Sequence, residues 1–112
     1  MQLSAKTEEQ LRIVSVLGSR IDAAVALEFK DAMRIQTEDG PDTVVLDLSE
    51  VQFIDSSGLG AIVASMKTLG ANRKMALAGL TPTVERVFQL TRMDSVFSVF
   101  STLDSALAEL RH

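Results

Sequence analysis

Two hydroxyls and a carboxylate stand together in Asp55-Ser56-Ser57-Gly58-Leu59-Gly60, between a hydrophobic run and a strongly amphipathic one. Read as a strand handing over to a helix, this position puts the serines beside the free N–H groups of a helix N-terminus. Such an end tolerates negative charge, because its unsatisfied amides and the helix dipole both favour an anion. A serine there can be an ordinary cap, or a place where a phosphate is added and removed. Much of the function turns on which of these it is.

Little else in the chain can do chemistry. The single histidine is the last residue, His112, and there is no cysteine, tyrosine or tryptophan. Most nucleophile–base pairs and transition-metal sites cannot be assembled from what remains, so no enzyme, metal site or cofactor is expected. The net charge of −4 is made of scattered residues of both signs, which disfavours nucleic acid as a partner. No apolar run approaches the ~18 residues of a membrane span. The first residues, Met1-Gln2-Leu3-Ser4-Ala5-Lys6, lack the basic and apolar regions of a signal peptide. With cysteine absent, a cytoplasmic address is expected. A length of 112 residues predicts one domain, 1–112, able to bury a core without staples.

The elements that must hold the motif follow from hydrophobic periodicity. Gln10 to Leu17 predicts a strand, paired through a turn at Thr7-Glu8-Glu9 with a short strand near Leu3 to Lys6. After a break at Gly18-Ser19-Arg20, Asp22 is the expected N-cap of a helix carrying Val25, Phe29, Ala32, Met33 and Gln36 at helical spacing. Gly40-Pro41-Asp42 ends that segment. Thr43 to Leu48 is nearly continuous in apolar residues, as in a strand buried on both faces of a parallel sheet, and Val51 to Ile54 leads inward again to Asp55. Leu59, Ile62, Val63, Met66 and Leu69 then form one apolar stripe, stopped at Gly70. Lys74 to Ala78 predicts a strand, and Thr81-Pro82 a helix with proline at its first position behind a hydroxyl cap. Val96 to Phe100 is a last strand, and Thr102 caps a closing helix with Leu103, Ala106, Leu107 and Leu110 on one face. The expected fold is α/β: an N-terminal β-hairpin, a mixed and mostly parallel sheet, and four α-helices.

Three stretches in this order resemble the STAS domain of the bacterial anti-sigma factor antagonists. They are Leu17-Gly18-Ser19-Arg20-Ile21-Asp22, the run from Val44 through Asp55-Ser56-Ser57-Gly58-Leu59-Gly60, and Pro82 to Phe88 followed by Phe97 to Phe100. The resemblance implies a monomeric, phosphorylation-controlled partner switch. A GHKL-type serine kinase, itself the anti-sigma factor or an equivalent regulator, would modify Ser56. A metal-dependent serine phosphatase would reverse the modification. Asp22, Asp55, Ser57, Gly58, Leu59 and Gly60 are the implied partner-binding residues. Arg20 departs from the family, standing where many relatives carry a shorter or acidic residue.

Several alternatives stay open at this level. Ser57 is the rival acceptor, but is read as the cap of the following helix, its oxygen turned toward the amides near Gly60. Asp55 is either a second cap or a recognition element. Asp22 is read first as a helix cap and second as a contact. The glycines are either helix-start residues or clearance for a partner backbone. A constitutive STAS subunit of a transporter or lipid-trafficking ATPase complex would keep the fold without needing a hydroxyl at 56. A small-ligand sensor using the Ser56 loop as an anion nest is a third reading.

Overall fold

In the computed structural model, which describes residues 1–111, twelve short elements build an α/β domain; His112 lies outside the described residues. The chain opens with β1 (Leu3–Glu8) and β2 (Leu11–Val16), antiparallel and joined at Glu9-Gln10. The expected hairpin is present, but its turn begins two residues later than the start of Thr7-Glu8-Glu9, because β1 runs on to Glu8. Glu9 takes a left-handed φ of 56° to close it. There follow β3 (Arg20–Ile21), α1 (Ala26–Thr37), β4 (Thr43–Asp47), β5 (Phe53–Ile54) and α2 (Ser56–Leu69). The chain closes with β6 (Lys74–Ala78), α3 (Pro82–Leu90), a 3-10 turn (Met93–Ser95), β7 (Ser98–Phe100) and α4 (Leu103–Leu110).

Five strands form the main sheet in the order β1-β2-β4-β6-β7, parallel throughout except for the β1–β2 hairpin. The central β4 is buried on both faces at Val44, Val45 and Leu46, as its unbroken apolar run predicts. Alternation then sorts the side chains. Val14, Val16, Val44, Leu46, Met75 and Leu77 join Phe29 and Met33 of α1, Ile62 of α2, and Val84 and Phe88 of α3 in the main core. Leu11, Ile13, Val45 and Ala78 turn to the other face, where Ala106 and Leu107 of α4 cover them.

The ends of the elements show which local signals were used. Thr102 caps α4 in a reciprocal arrangement with Ser105, as expected. Gly70 ends α2 with a φ of 89°. Thr81 stands at the N-cap of α3, but its hydroxyl donates to the Val51 carbonyl at 2.8 Å instead of accepting from the helix. It ties α3 to the segment before β5. The C-terminal carbonyls of α1 are held by two guanidinium groups, Arg12 on Gln36 and Arg73 on Thr37, with Arg73 also reaching the Pro41 carbonyl at 2.8 Å.

Two strand expectations shrink. Of Val96 to Phe100 only Ser98–Phe100 is strand; the 3-10 turn before it drives Phe97 into the core, edge-on to Phe88 with ring centroids 6.1 Å apart. Of Val51 to Ile54 only Phe53–Ile54 is strand, and it pairs with β3 outside the main sheet.

Burial decides what truncation costs. Phe88→Ala, deleting a fully buried ring, is expected to lower stability by about 3–5 kcal/mol. Leu90→Ala, two residues on and 77 % exposed, should stay within about 0.5 kcal/mol of wild type. Urea unfolding of both variants beside wild type measures the contrast.

Candidate functional site

The site lies at the C-terminal ends of the parallel strands, the end at which open α/β sheets present their loops. There β3 and β5 make a two-stranded parallel pair, Arg20 beside Phe53 and Ile21 beside Ile54. The isoleucines are buried, and Arg20 and Phe53 face outward. Both strands continue into an aspartate, Asp22 and Asp55, and each leads toward a helix.

Asp55 is the N-cap of α2. Its backbone is extended, its carbonyl accepts from the Leu59 amide at 2.9 Å, and its carboxylate accepts from the Gly58 amide at 2.8 Å. The second carboxylate oxygen accepts from the Ala23 amide at 3.1 Å, in the turn after β3. One side chain therefore closes the start of α2 and fastens it to the segment ahead of α1.

This arrangement corrects the expected role of Ser57. Asp55, immediately before the two serines, takes the cap, because a carboxylate on extended backbone reaches the third helical amide directly. Ser56 and Ser57 are the first two helical residues, and both are exposed. Asp22 is likewise not the cap of α1. The helix starts at Ala26 with Val25 at the N-cap and no side-chain cap bond. Asp22 instead builds a turn ahead of the helix, accepting from the Ala24 amide through one carboxylate oxygen and from Arg20 Nε at 3.0 Å through the other. The Arg20 hydrogen bond, with help from the Ala24 and Val25 amides, holds the Asp22 carboxyl below its ordinary value.

The remaining motif residues divide by depth. Gly58 is buried, and a Cβ there would overlap the Ile21 carbonyl oxygen and crowd Ile54, so the close approach of α2 to β3 requires glycine. Leu59 is buried in the main core. In the free domain both face inward and shape the loop from beneath. Gly60 is exposed, with open space where a side chain would be. The apolar stripe of α2 is rotated slightly from its expected line: Ala61 and Ser65 are buried, while Val63 and Met66 are partly covered. Ser65 satisfies its hydroxyl on the Ala61 carbonyl at 2.9 Å.

Sequence reading also missed a pairing. Arg20 lies over the Phe53 ring, its guanidinium carbon 4.2 Å from the centroid, while bonded to Asp22. The shared Ile-Asp that follows both Arg20 and Phe53 was the signal that these strands lie in register. Among the described residues no group of three or more His, Cys, Asp or Glu side chains could hold a metal ion. Nor is any described helix long and apolar enough to cross a membrane.

Comparison with known proteins places this geometry. The model of the STAS domain matches residues 2–106. The chain is 32 % identical over 95 residues to the anti-sigma-F factor antagonist RsfB of Mycobacterium tuberculosis, covering 85 % of this chain and 78 % of that protein. It is 27 % identical over 101 residues to the anti-sigma-B factor antagonist of Staphylococcus aureus, covering 88 % and 94 % of the two chains. The crystal structure of an anti-sigma factor antagonist from Mycobacterium paratuberculosis superposes with a TM-score of 0.88 at 31 % identity, over 99 % of this chain and 94 % of the other.

The two glycines should respond oppositely to the same change. Gly58→Ala is expected to cost at least about 2 kcal/mol, because backbone must move to admit the methyl group. Gly60→Ala, at an open helical position, should raise stability by about 0.5–1 kcal/mol. Thermal and urea unfolding of the pair measures both signs.

The Asp22 carboxyl should titrate at higher pH in Arg20→Gln than in wild type, read from its side-chain carbon resonance. Because its folded-state value is depressed, the Arg20 contact contributes stability above the ordinary carboxylate pKa of about 3.9 and loses it as pH falls through the folded value.

Proposed function

The chain belongs to the STAS-domain family, and from that premise we propose that it is a partner-switching regulator controlled by phosphorylation of Ser56, a binding protein and not an enzyme. The observation that carries this reading is the position of Ser56: exposed, at the first turn of α2, directly after the carboxylate that closes the loop. A kinase can reach that hydroxyl without unfolding the domain. The names of the Mycobacterium tuberculosis and Staphylococcus aureus relatives, antagonists of anti-sigma factors, support a partner of that kind. The partner is an anti-sigma factor of the GHKL serine-kinase type or an equivalent regulator, a metal-dependent serine phosphatase restores the hydroxyl, and the exchange takes place in the cytoplasm.

The physical basis of the switch is a difference between free and bound surfaces. Phosphate on Ser56 adds about −1.5 to −2 charge and three acceptor oxygens. In the free domain it stays hydrated, and the amides at the start of α2 offset repulsion from Asp55. In the complex the partner packs over Ser56, Ser57, Gly60 and the Asp22–Asp55 rim, and the dianion must lose water. An imperfectly compensated charge there costs several kcal/mol, about 10²–10³-fold in affinity.

Two measurements test this. Titrated against the regulator, Ser56→Ala and Ser57→Ala should bind like unmodified wild type. Ser56→Asp should bind more weakly, though less weakly than the phosphoprotein, since one carboxylate carries less charge than a phosphate. Equal binding by all forms would instead mark a constitutive STAS subunit. Thermal melts should place the phosphorylated and unmodified domains within about 1 kcal/mol of each other. A stability loss of several kcal/mol, with affinity falling only in step with the unfolded fraction, would replace interface repulsion with disorder as the mechanism.

A further inference from the structure

Arg20 is an exposed cation on the strand paired with the one that leads to Ser56. Its Nε is bonded to Asp22, its guanidinium carbon lies over the Phe53 ring, and its two Nη groups have no hydrogen-bond partner among the described residues. Its side chain is 57 % exposed, so its present partnership is a surface one that a stronger anion can displace. We propose that a phosphate on Ser56 takes the Arg20 guanidinium away from Asp22, so that the modified protein carries its own counter-ion and the Arg20–Phe53 stack comes apart. This rests on the reading of Ser56 as the phosphoacceptor and adds a second event to it.

The geometry supplies the reach. Arg20 and Phe53 are register partners on parallel strands, and Ser56 lies three residues beyond Phe53, about 10 Å of extended chain. Arg20 already leans two residues forward, in that same direction, to meet Asp22. The turn that follows Asp22 is fastened to the start of α2 through the bond from the Ala23 amide to Asp55. That bond keeps the guanidinium and Ser56 on one rim. A phosphate would lengthen the exposed Ser56 side chain, and the long Arg20 side chain would span what remains.

Energetics favour the exchange. Asp22 offers one negative charge and keeps its Ala24 amide bond when Arg20 leaves, so it is not stranded. A phosphate offers close to two charges and three oxygens to a planar fork that binds such groups through two parallel bonds. Losing a single exposed cation–π contact opposes this only weakly. The unmodified surface, with exposed Arg20 over Phe53 and its Nη donors unpartnered among the described residues, suits a partner that brings an acidic group. The modified surface withdraws those donors.

The test uses the full chain with phosphoserine encoded genetically at position 56, so it does not depend on any kinase. The second ionisation of the phosphate is followed by phosphorus NMR in wild type, Arg20→Gln and Arg20→Lys. A paired guanidinium should hold the wild-type value about half a pH unit or more below that of Arg20→Gln, with Arg20→Lys between them. The Arg20 Cδ protons, shifted by the Phe53 ring in the unmodified protein, should move toward unshifted positions on phosphorylation. Equal phosphate titrations in wild type and Arg20→Gln overturn the proposal, whatever the Arg20 protons do. Failure of the switch itself is seen elsewhere, as equal affinity of phosphorylated and unmodified protein for the regulator.

Discussion

The start of α2 sits hard against β3, and the rest of the site depends on that closeness. Gly58 lies under the Ile21 carbonyl where no side chain fits, and Asp55 uses both carboxylate oxygens on amides from opposite sides of the junction. Neither contact works without the other. Were the helix to start farther out, the Ala23 amide would be beyond reach of a side chain that also caps α2. Were Asp55 unable to bridge, the glycine would leave a loose backbone with no cap. Together they make a short, stiff corner from which the next residue, Ser56, must project outward.

A stiff corner suits a switch based on charge more than one based on movement. The stripe of α2 from Leu59 to Leu69 and the buried pair Ile21 and Ile54 anchor the corner to the main core, so an added phosphate meets a fixed array of amides and charges. The response is then local: which groups pair, and what a partner must desolvate. The surface around the motif is defined by hydrogen bonds within a few residues of it.

The fold was largely legible because burial writes itself into spacing. The doubly buried β4, the α2 stripe and the Thr102 cap each leave a periodic or positional mark that holds whatever the neighbours do. Caps near the motif were harder. Asp22, Asp55, Ser56 and Ser57 are all good capping residues, and only the actual backbone path decides which one stands at the extended position before the helix. The path chose Asp55, leaving Ser57 free and sending Asp22 to a separate turn. Phe97 was misplaced for a related reason. A short apolar run reads equally well as strand or as the edge of a turn, and packing against Phe88 settled it.

Once α2 has begun, the helical repeat divides the motif into an inner and an outer half. Gly58 and Leu59 fall on the side facing Ile21 and the core, so their identities are explained by the fold. Ser56, Ser57 and Gly60 fall on the exposed side, and Ser56 and Gly60, four residues apart, are neighbours along one face. The open space at Gly60 therefore lies one turn beyond the hydroxyl. Folding gives no reason for glycine there, since alanine would serve the helix better. Under the proposed function, clearance beside Ser56 for a partner's backbone would give one. A single motif thus holds two glycines in different settings: the inner one is required by the chain's own carbonyl, and the outer one faces open space.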